Sequence, residues 1–225
     1  MSVGLLTGSE PFAGLPDNPA SALLSHFENR IYAGIRVLPR MTPANLSTGL
    51  DLLKELIAEH RPDFVISLGL ALGEPVLRVE TIGINTLDFA IPDNEGIRPL
   101  HGGPIDETGP AARKATWEHR TIVDALLAAD LPARASHSAG THMCNATLYT
   151  SVGAMEAAGL SGPCGFLHLP YLPEQVARFM RSAPPEGDRA PRTERSLASM
   201  SLENQLRGLG IVLEKVAARA NGSKG

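Results

Sequence analysis

Apolar positions along the chain fall into two alternating patterns. Short runs at residues 3–7, 31–38, 64–68, 79–85 and 164–169, with a weaker one at 133–136, predict strands. The uninterrupted run at 64–68 is that of a strand buried on both faces. Between the strands lie stretches with helical spacing. Leu46, Leu50, Leu53 and Ile57 mark a helix over 43–60, which Pro62 stops, and Leu148, Val152, Met155 and Ala158 mark another over 145–160. Residues 121–129 and 201–220 read as two more helices. Asn18 before Pro19 reads as an N-cap with proline at the first helical position, opening a helix through Leu23, Leu24 and Phe27. The Gly- and Pro-rich stretch 92–110 predicts a long loop of the kind that usually serves function, and 184–196, in a stretch rich in Pro, Arg and Glu, predicts a mobile surface loop. This alternation predicts one α/β domain over 1–225 with three α/β/α layers and a mixed, mostly parallel central sheet.

Charge narrows the partners. Twenty Lys and Arg against 24 Asp and Glu leave a net charge of −4, which argues against a nucleic-acid partner, since neutralising phosphates needs a basic face. Every apolar run is far too short for a bilayer, and the N-terminus lacks the basic start and cleavage site of a signal peptide. The two cysteines, Cys144 and Cys164, are too few for a disulfide framework and lack metal-ligand spacing. Free thiols point to the cytoplasm.

Three side chains stand out as chemistry. Cys144 precedes a predicted helix, where unpaired N–H groups and the positive dipole end favour thiolate and could donate to an oxyanion. His168 closes a buried strand, at the crevice where α/β proteins hold ligands. Paired with a helix-start cysteine it is a candidate general base. Glu80 is a carboxylate in an apolar strand, a costly arrangement unless the group is paired. It could orient an imidazole, or simply form an ion pair with Arg78 or Arg36. Ordinary packing is the alternative for Cys144 and His168, and the preferred reading of Cys164.

Four blocks resemble the pyroglutamyl peptidase I family of cysteine peptidases, also called pyrrolidone-carboxylate peptidases. They are Thr7-Gly8-Ser9-Glu10-Pro11-Phe12-Ala13-Gly14 with Asn18-Pro19; Glu80-Thr81-Ile82-Gly83-Ile84-Asn85 with Ile91-Pro92-Asp93-Asn94-Glu95-Gly96; Ser138 through Asn145 around Cys144; and Gly165 through Gln175 around His168. The resemblance implies a cofactor-free intracellular homotetramer that removes N-terminal pyroglutamate from peptides. It implies Cys144 as nucleophile, His168 as general base and Glu80 as third member. It places Ser9, Phe12, Leu70, Ile91, His142 and Met143 around the substrate.

Departures from the family pattern cluster in that pocket. Ser9 and His142 stand where the family has aromatic residues against the lactam ring, unless His142 stacks or Phe12 or Phe89 replaces them. Ala90 stands for an arginine, Thr81 for a basic residue, and Leu70, Leu72 and Glu74 alter the turn after the third strand. Asp93, Asn94 and Glu95 read as loop-ordering residues. Two alternatives therefore stay open: a cysteine amidohydrolase acting on another small cyclic amide or acylated amine, and a catalytically silent binding protein on the same scaffold.

Overall fold

A computed structural model describes residues 2–12, 14–181 and 197–222. The predicted loop at 184–196 lies outside the described residues. The chain opens with β1 (Val3–Ser9), whose five central residues are buried. Asn18 then caps α1 (Pro19–Leu24) as expected, its Oδ1 accepting the Ala20 N–H at 3.0 Å. The predicted strand at 31–38 is instead a hairpin of β2 (Ile31–Tyr32) and β3 (Ile35–Thr42). Its two-residue turn, Ala33-Gly34, has positive φ at both positions (46° and 80°), the geometry that reverses a tightly twisted ribbon.

The helix predicted from residue 43 begins later, as α2 (Thr48–His60). Asn45 explains the delay: its Oδ1 accepts both the Gly49 N–H and the Thr48 hydroxyl at 2.9 Å, so 43–47 is a capped approach rather than a turn of helix. β4 (Phe64–Leu70) is buried at every position. The expected strand at 79–85 divides into β5 (Leu77–Glu80) and β6 (Ile82–Ile84), because at Thr81 the chain leaves the main sheet, its N–H bonding Ser136 O at 2.9 Å. β6 pairs with β7 (Ala112–Lys114), a strand too short and polar to be recognised by pattern. There follow α3 (His119–Ala128), β8 (Ala133–Ser136), α4 (Met143–Ala157), β9 (Cys164–Leu169), α5 (Pro173–Arg181) and α6 (Leu202–Gly222).

The main sheet has seven strands in the order β2-β3-β1-β4-β9-β5-β8. β3, β1, β4 and β9 run parallel, β5 runs antiparallel to β9, and β8 runs parallel to β5. On one face, Leu53 and Ile57 of α2 and Leu148 and Val152 of α4 form a core with Leu5, Val65 and Phe166. On the other, α1, α3 and α6 bury Leu23, Ile122, Leu209, Val212 and Leu213 against Leu6, Ile66 and Leu167. The result is the three-layer α/β arrangement that the alternating pattern predicts. Among the described residues no helix is long and apolar enough to cross a membrane.

Candidate active site

Sheet register assembles the site. Side chains paired across an antiparallel ladder project from the same face, as do residues two apart on one strand. Arg78 pairs with His168, Glu80 with Phe166, and Glu80 also with Ser136 on its other side. Arg78, Glu80, Ser136, Phe166 and His168 therefore share the face that α4 covers. His168 is also the register partner of Gly69 on β4.

Cys144, the second residue of α4, comes down onto this face directly over Gly69. A Cβ built on Gly69 would lie 3.0 Å from Cys144 Sγ and 2.6 Å from Phe166 Cζ, so glycine is required for the thiol to approach the sheet. Gly140, with φ of 82°, turns the chain into the helix. His142 precedes the helix in extended conformation and caps it without a side-chain hydrogen bond. The first helical bond runs from Ala146 N–H to His142 O, which leaves the opening N–H groups aimed out of the helix beside the thiol.

His168 Nδ1–H donates to Glu80 Oε1 at 2.7 Å, and both residues are buried. Burial disfavours the charged form of His168. The neighbouring Cys144, by charge and hydrogen bond, and the Glu80 carboxylate together outweigh that penalty and push the imidazole up to about 9 from its ordinary 6.5. Glu80 Oε1 also takes Arg78 Nη2 at 2.9 Å, so the two readings of Glu80 prove compatible, while Arg36 lies elsewhere, against Asn29. Trp117 Nε1–H fixes the Glu80 carbonyl at 2.9 Å. Cys164 is fully buried on β9, and burial raises its thiol far above the ordinary range, which suits packing.

A narrow cleft opens beside Cys144, and Ser9, Thr42, Met143 and Phe166 line it. Ser9 is tied down: Asn18 Nδ2 donates to its hydroxyl at 3.1 Å and to its carbonyl at 3.2 Å. His142 stacks on the buried Phe89 ring, with centroids 3.9 Å apart and 26° between planes, and faces Phe12 on a near-parallel plane at 6.1 Å. The Ile91 carbonyl holds His142 Nε2 at 3.0 Å. Burial lowers the proton affinity of this ring, so it is a neutral aromatic plane near neutral pH. Phe12, Ile91 and His142, expected at the substrate, lie outside the lining of this narrow cleft, and so does Leu70. It is buried with Tyr171 and Val176, and with Phe12 packed against them, so it backs the wall that Phe12 forms. The reason is pleat parity, since Gly69 faces the thiol and its neighbour must face away.

The loop after β6 is fixed from two sides. Asn145 Oδ1 accepts Ile84 N–H at 2.9 Å, and its Nδ2 donates to Ile84 O at 2.9 Å and Thr86 O at 3.2 Å, as a neighbouring strand would. Asp93 accepts the N–H groups of Leu46, Glu95 and Ile97 at 2.8–3.0 Å, and Asn94 Nδ2 donates to Pro11 O at 2.9 Å. These bonds order the loop as expected. The role of Asn145 is not apparent in its helical segment except as a polar residue at a position that helical spacing would bury.

Residues 1–219 match the family model described as pyroglutamyl peptidase. The pyrrolidone-carboxylate peptidase of Gloeobacter violaceus is 36% identical over 219 residues, covering 96% of this chain and 98% of the relative. That of Thermococcus kodakarensis is 35% identical, covering 94% of each. Among solved structures, pyrrolidone carboxyl peptidase from Thermococcus litoralis superposes with a TM-score of 0.89 at 30% identity, over 99% of this chain and 96% of that one. A variant of the Pyrococcus furiosus enzyme gives 0.88 at 29% identity, over 97% and 99%. With residues 1–219 matched, its fold superposing on solved members and a cysteine, a histidine and a glutamate gathered on one face, the chain belongs to the pyroglutamyl peptidase family.

Proposed function

We propose that this chain removes an N-terminal pyroglutamyl residue from peptides through a thioester on Cys144. The observation that carries the reading is the line from Glu80 through His168 to Cys144, built from three distant segments on one sheet face. Cys144 Sγ attacks the pyroglutamyl carbonyl carbon at the scissile amide. The oxygen's developing charge falls beside the free N–H groups of the first turn of α4. His168, carrying its proton between the thiolate and Glu80, gives that proton to the leaving amine as the C–N bond breaks. Water then attacks the thioester while the same imidazole takes its proton. Pyroglutamate leaves and the sulfur is regenerated. Phe12 and the His142–Phe89 stack supply flat faces for the lactam, each aromatic pairing contributing about 0.5–1.5 kcal/mol.

The pocket also favours a second reading. Ser9 places a polar group where the family pattern has an aromatic ring, and Ala90 stands for an arginine, so a cysteine amidohydrolase acting on a different small cyclic amide fits the same catalytic line. On the family resemblance we place the protein in the cytoplasm as a homotetramer, a state that sedimentation of the purified chain measures.

Hydrolysis of an L-pyroglutamyl chromogenic amide, run beside a panel of other cyclic amides, tests the first reading against the second. Cys144→Ser should abolish turnover and leave the circular dichroism spectrum unchanged. Iodoacetamide should inactivate the enzyme with the label on Cys144 and none on the buried Cys164. Turnover of other amides alone would reject the peptidase reading, and labelling confined to Cys164 would reject the nucleophile.

A further inference from the structure

Glu80 is asymmetrically used. Oε1 receives both His168 Nδ1 at 2.7 Å and Arg78 Nη2 at 2.9 Å, while Oε2 is buried and has no hydrogen-bond partner among the described residues. A buried carboxylate that engages through a single oxygen is free to turn about its terminal bond unless a second donor holds that same oxygen from another side. Arg78 is that donor, and it is itself over-determined. Its Nη1 lies 3.3 Å from Glu74 Oε1, and its Nη2 donates also to Ser136 Oγ at 3.0 Å and Ser138 O at 2.5 Å. Ser138 begins the segment that leads through Gly140 into α4 and Cys144. One guanidinium thus touches the orienting carboxylate and the lead into the nucleophile's helix. The planar fork of arginine reaches Glu74 through Nη1 while Nη2 serves Glu80, Ser136 and Ser138, a span that the single nitrogen of lysine does not reproduce.

We propose that Arg78 is a positioning residue for the catalytic imidazole, acting through Glu80. Resting on the peptidase-type reading of Cys144, His168 and Glu80, the proposal extends it by one residue. Arg78 holds Oε1 toward His168. Its positive charge also offsets part of the carboxylate's pull on the imidazolium. The remaining charged and titratable groups around the cluster are Glu74, itself bridged to Arg134 at 3.0 Å, Cys144 on α4, and His137, whose Nδ1 lies 2.7 Å from Thr81 Oγ1.

The test uses the full chain with Arg78→Met and Arg78→Lys, alone and with Glu80→Gln. Two pH profiles are read: the rate of Cys144 alkylation by iodoacetamide, and hydrolysis of the pyroglutamyl amide. Loss of the cation makes the site more negative. Arg78→Met should therefore move both limbs of each profile upward by about one pH unit, the low end of what a neighbouring charge produces. kcat should fall about tenfold with KM within about twofold, the pattern of lost orientation rather than lost binding. Arg78→Lys should keep the limbs in place and lower kcat only. In the Glu80→Gln background, Arg78→Met should move nothing further. Unmoved limbs in Arg78→Met, or an equal shift with and without Glu80, would overturn the proposal. Should Arg78→Met not fold, shifted limbs in Arg78→Lys overturn it, and fixed limbs with lowered kcat sustain it. The alkylation profile needs no substrate, so failure of the unmodified protein to cleave pyroglutamyl amides counts against the peptidase reading and leaves the Arg78 result legible.

Discussion

Replacing Gly69 by alanine adds one methyl group between the nucleophile and the sheet, and its cost can be worked from contacts. The new Cβ would stand 2.6 Å from Phe166 Cζ, 3.0 Å from Phe166 Cε1 and 3.0 Å from Cys144 Sγ. Carbon atoms rest at about 3.5–4.0 Å, so the Phe166 ring must give way by roughly 1 Å. Phe166 cannot move alone, because its ring lies 4.8 Å from that of His168 at a tilt of 58°. The strain therefore reaches both the thiol and the imidazole. Overpacking of this kind costs about 1–3 kcal/mol, which in a chain of this size lowers Tm by roughly 2–4 °C per kcal/mol. A misplacement of about 1 Å between reacting groups costs about a hundredfold in rate. The expected outcome for Gly69→Ala is a folded protein with lowered Tm, kcat down by about ten- to a hundredfold and KM little changed, since Ser9, Phe12 and His142 are untouched. Gly103→Ala is the control, because a Cβ there meets nothing within 4 Å. Calorimetry and steady-state kinetics on both variants decide. Wild-type kcat and Tm in Gly69→Ala would show that the thiol does not lie over the sheet at this point.

The remaining predictions concern protonation and loop anchoring. Buried and charged between thiolate and carboxylate, His168 is raised from 6.5 to about 9. A group raised in the folded state contributes stability that is fully present below its unfolded value and lost as pH climbs through the folded one. Tm should thus fall between about pH 6.5 and 9 by more in the native protein than in His168→Ala, and hydrolysis should decline as pH passes about 9, where the imidazolium that protonates the leaving amine is lost. Equal pH dependence of Tm in the two proteins would contradict the pairing. Asn145→Ala strands the Ile84 N–H and the Thr86 C=O, while Ile84 O keeps the Thr86 N–H at 2.9 Å. With about 1–2 kcal/mol for each half-buried group left unpaired, a loss of about 2–4 kcal/mol and a Tm lower by about 4–16 °C are expected in thermal melts.

The alternation of strands and helices was readable because each layer leaves its own period in the chain. Phe64-Val65-Ile66 can only be a strand covered on both faces, and Leu50, Leu53 and Ile57 can only line one side of a helix. What escaped the pattern depends on contacts between distant segments. The break at Thr81 is invisible in Val79-Glu80-Thr81-Ile82, because the residue that diverts the chain is Ser136, through its carbonyl. β7 has three residues and two of them are basic, so its pairing with β6 leaves no periodic trace. α5 is amphipathic, yet it follows the His168 block so closely that its residues read as part of a motif. Within the site, Cys144, His168 and Glu80 each broke a local rule: a thiol at a helix start, a polar ring at a buried strand end, an acid in an apolar run. Leu70 broke none, and its assignment to the substrate pocket came only from resemblance.

The direction of β5 accounts for the part that Glu80 plays. Had β5 run parallel to β9, a residue at its C-terminal end would have reached the same rim as His168 and met solvent. Running antiparallel, β5 places Arg78 level with His168 and carries Glu80 inward, level with Phe166. The carboxylate is consequently fully buried, beneath α4 and out of reach of any substrate held at the cleft. A group so placed cannot exchange protons with the reactants. Its influence passes through Nδ1 of His168, by fixing the ring's rotation and stabilising its charge, while Nε2 is left for the sulfur and the leaving amine. Burial would make such a carboxylate untenable alone, so the same reversal of the strand that hides Glu80 also supplies its counterion, two residues earlier on the same face.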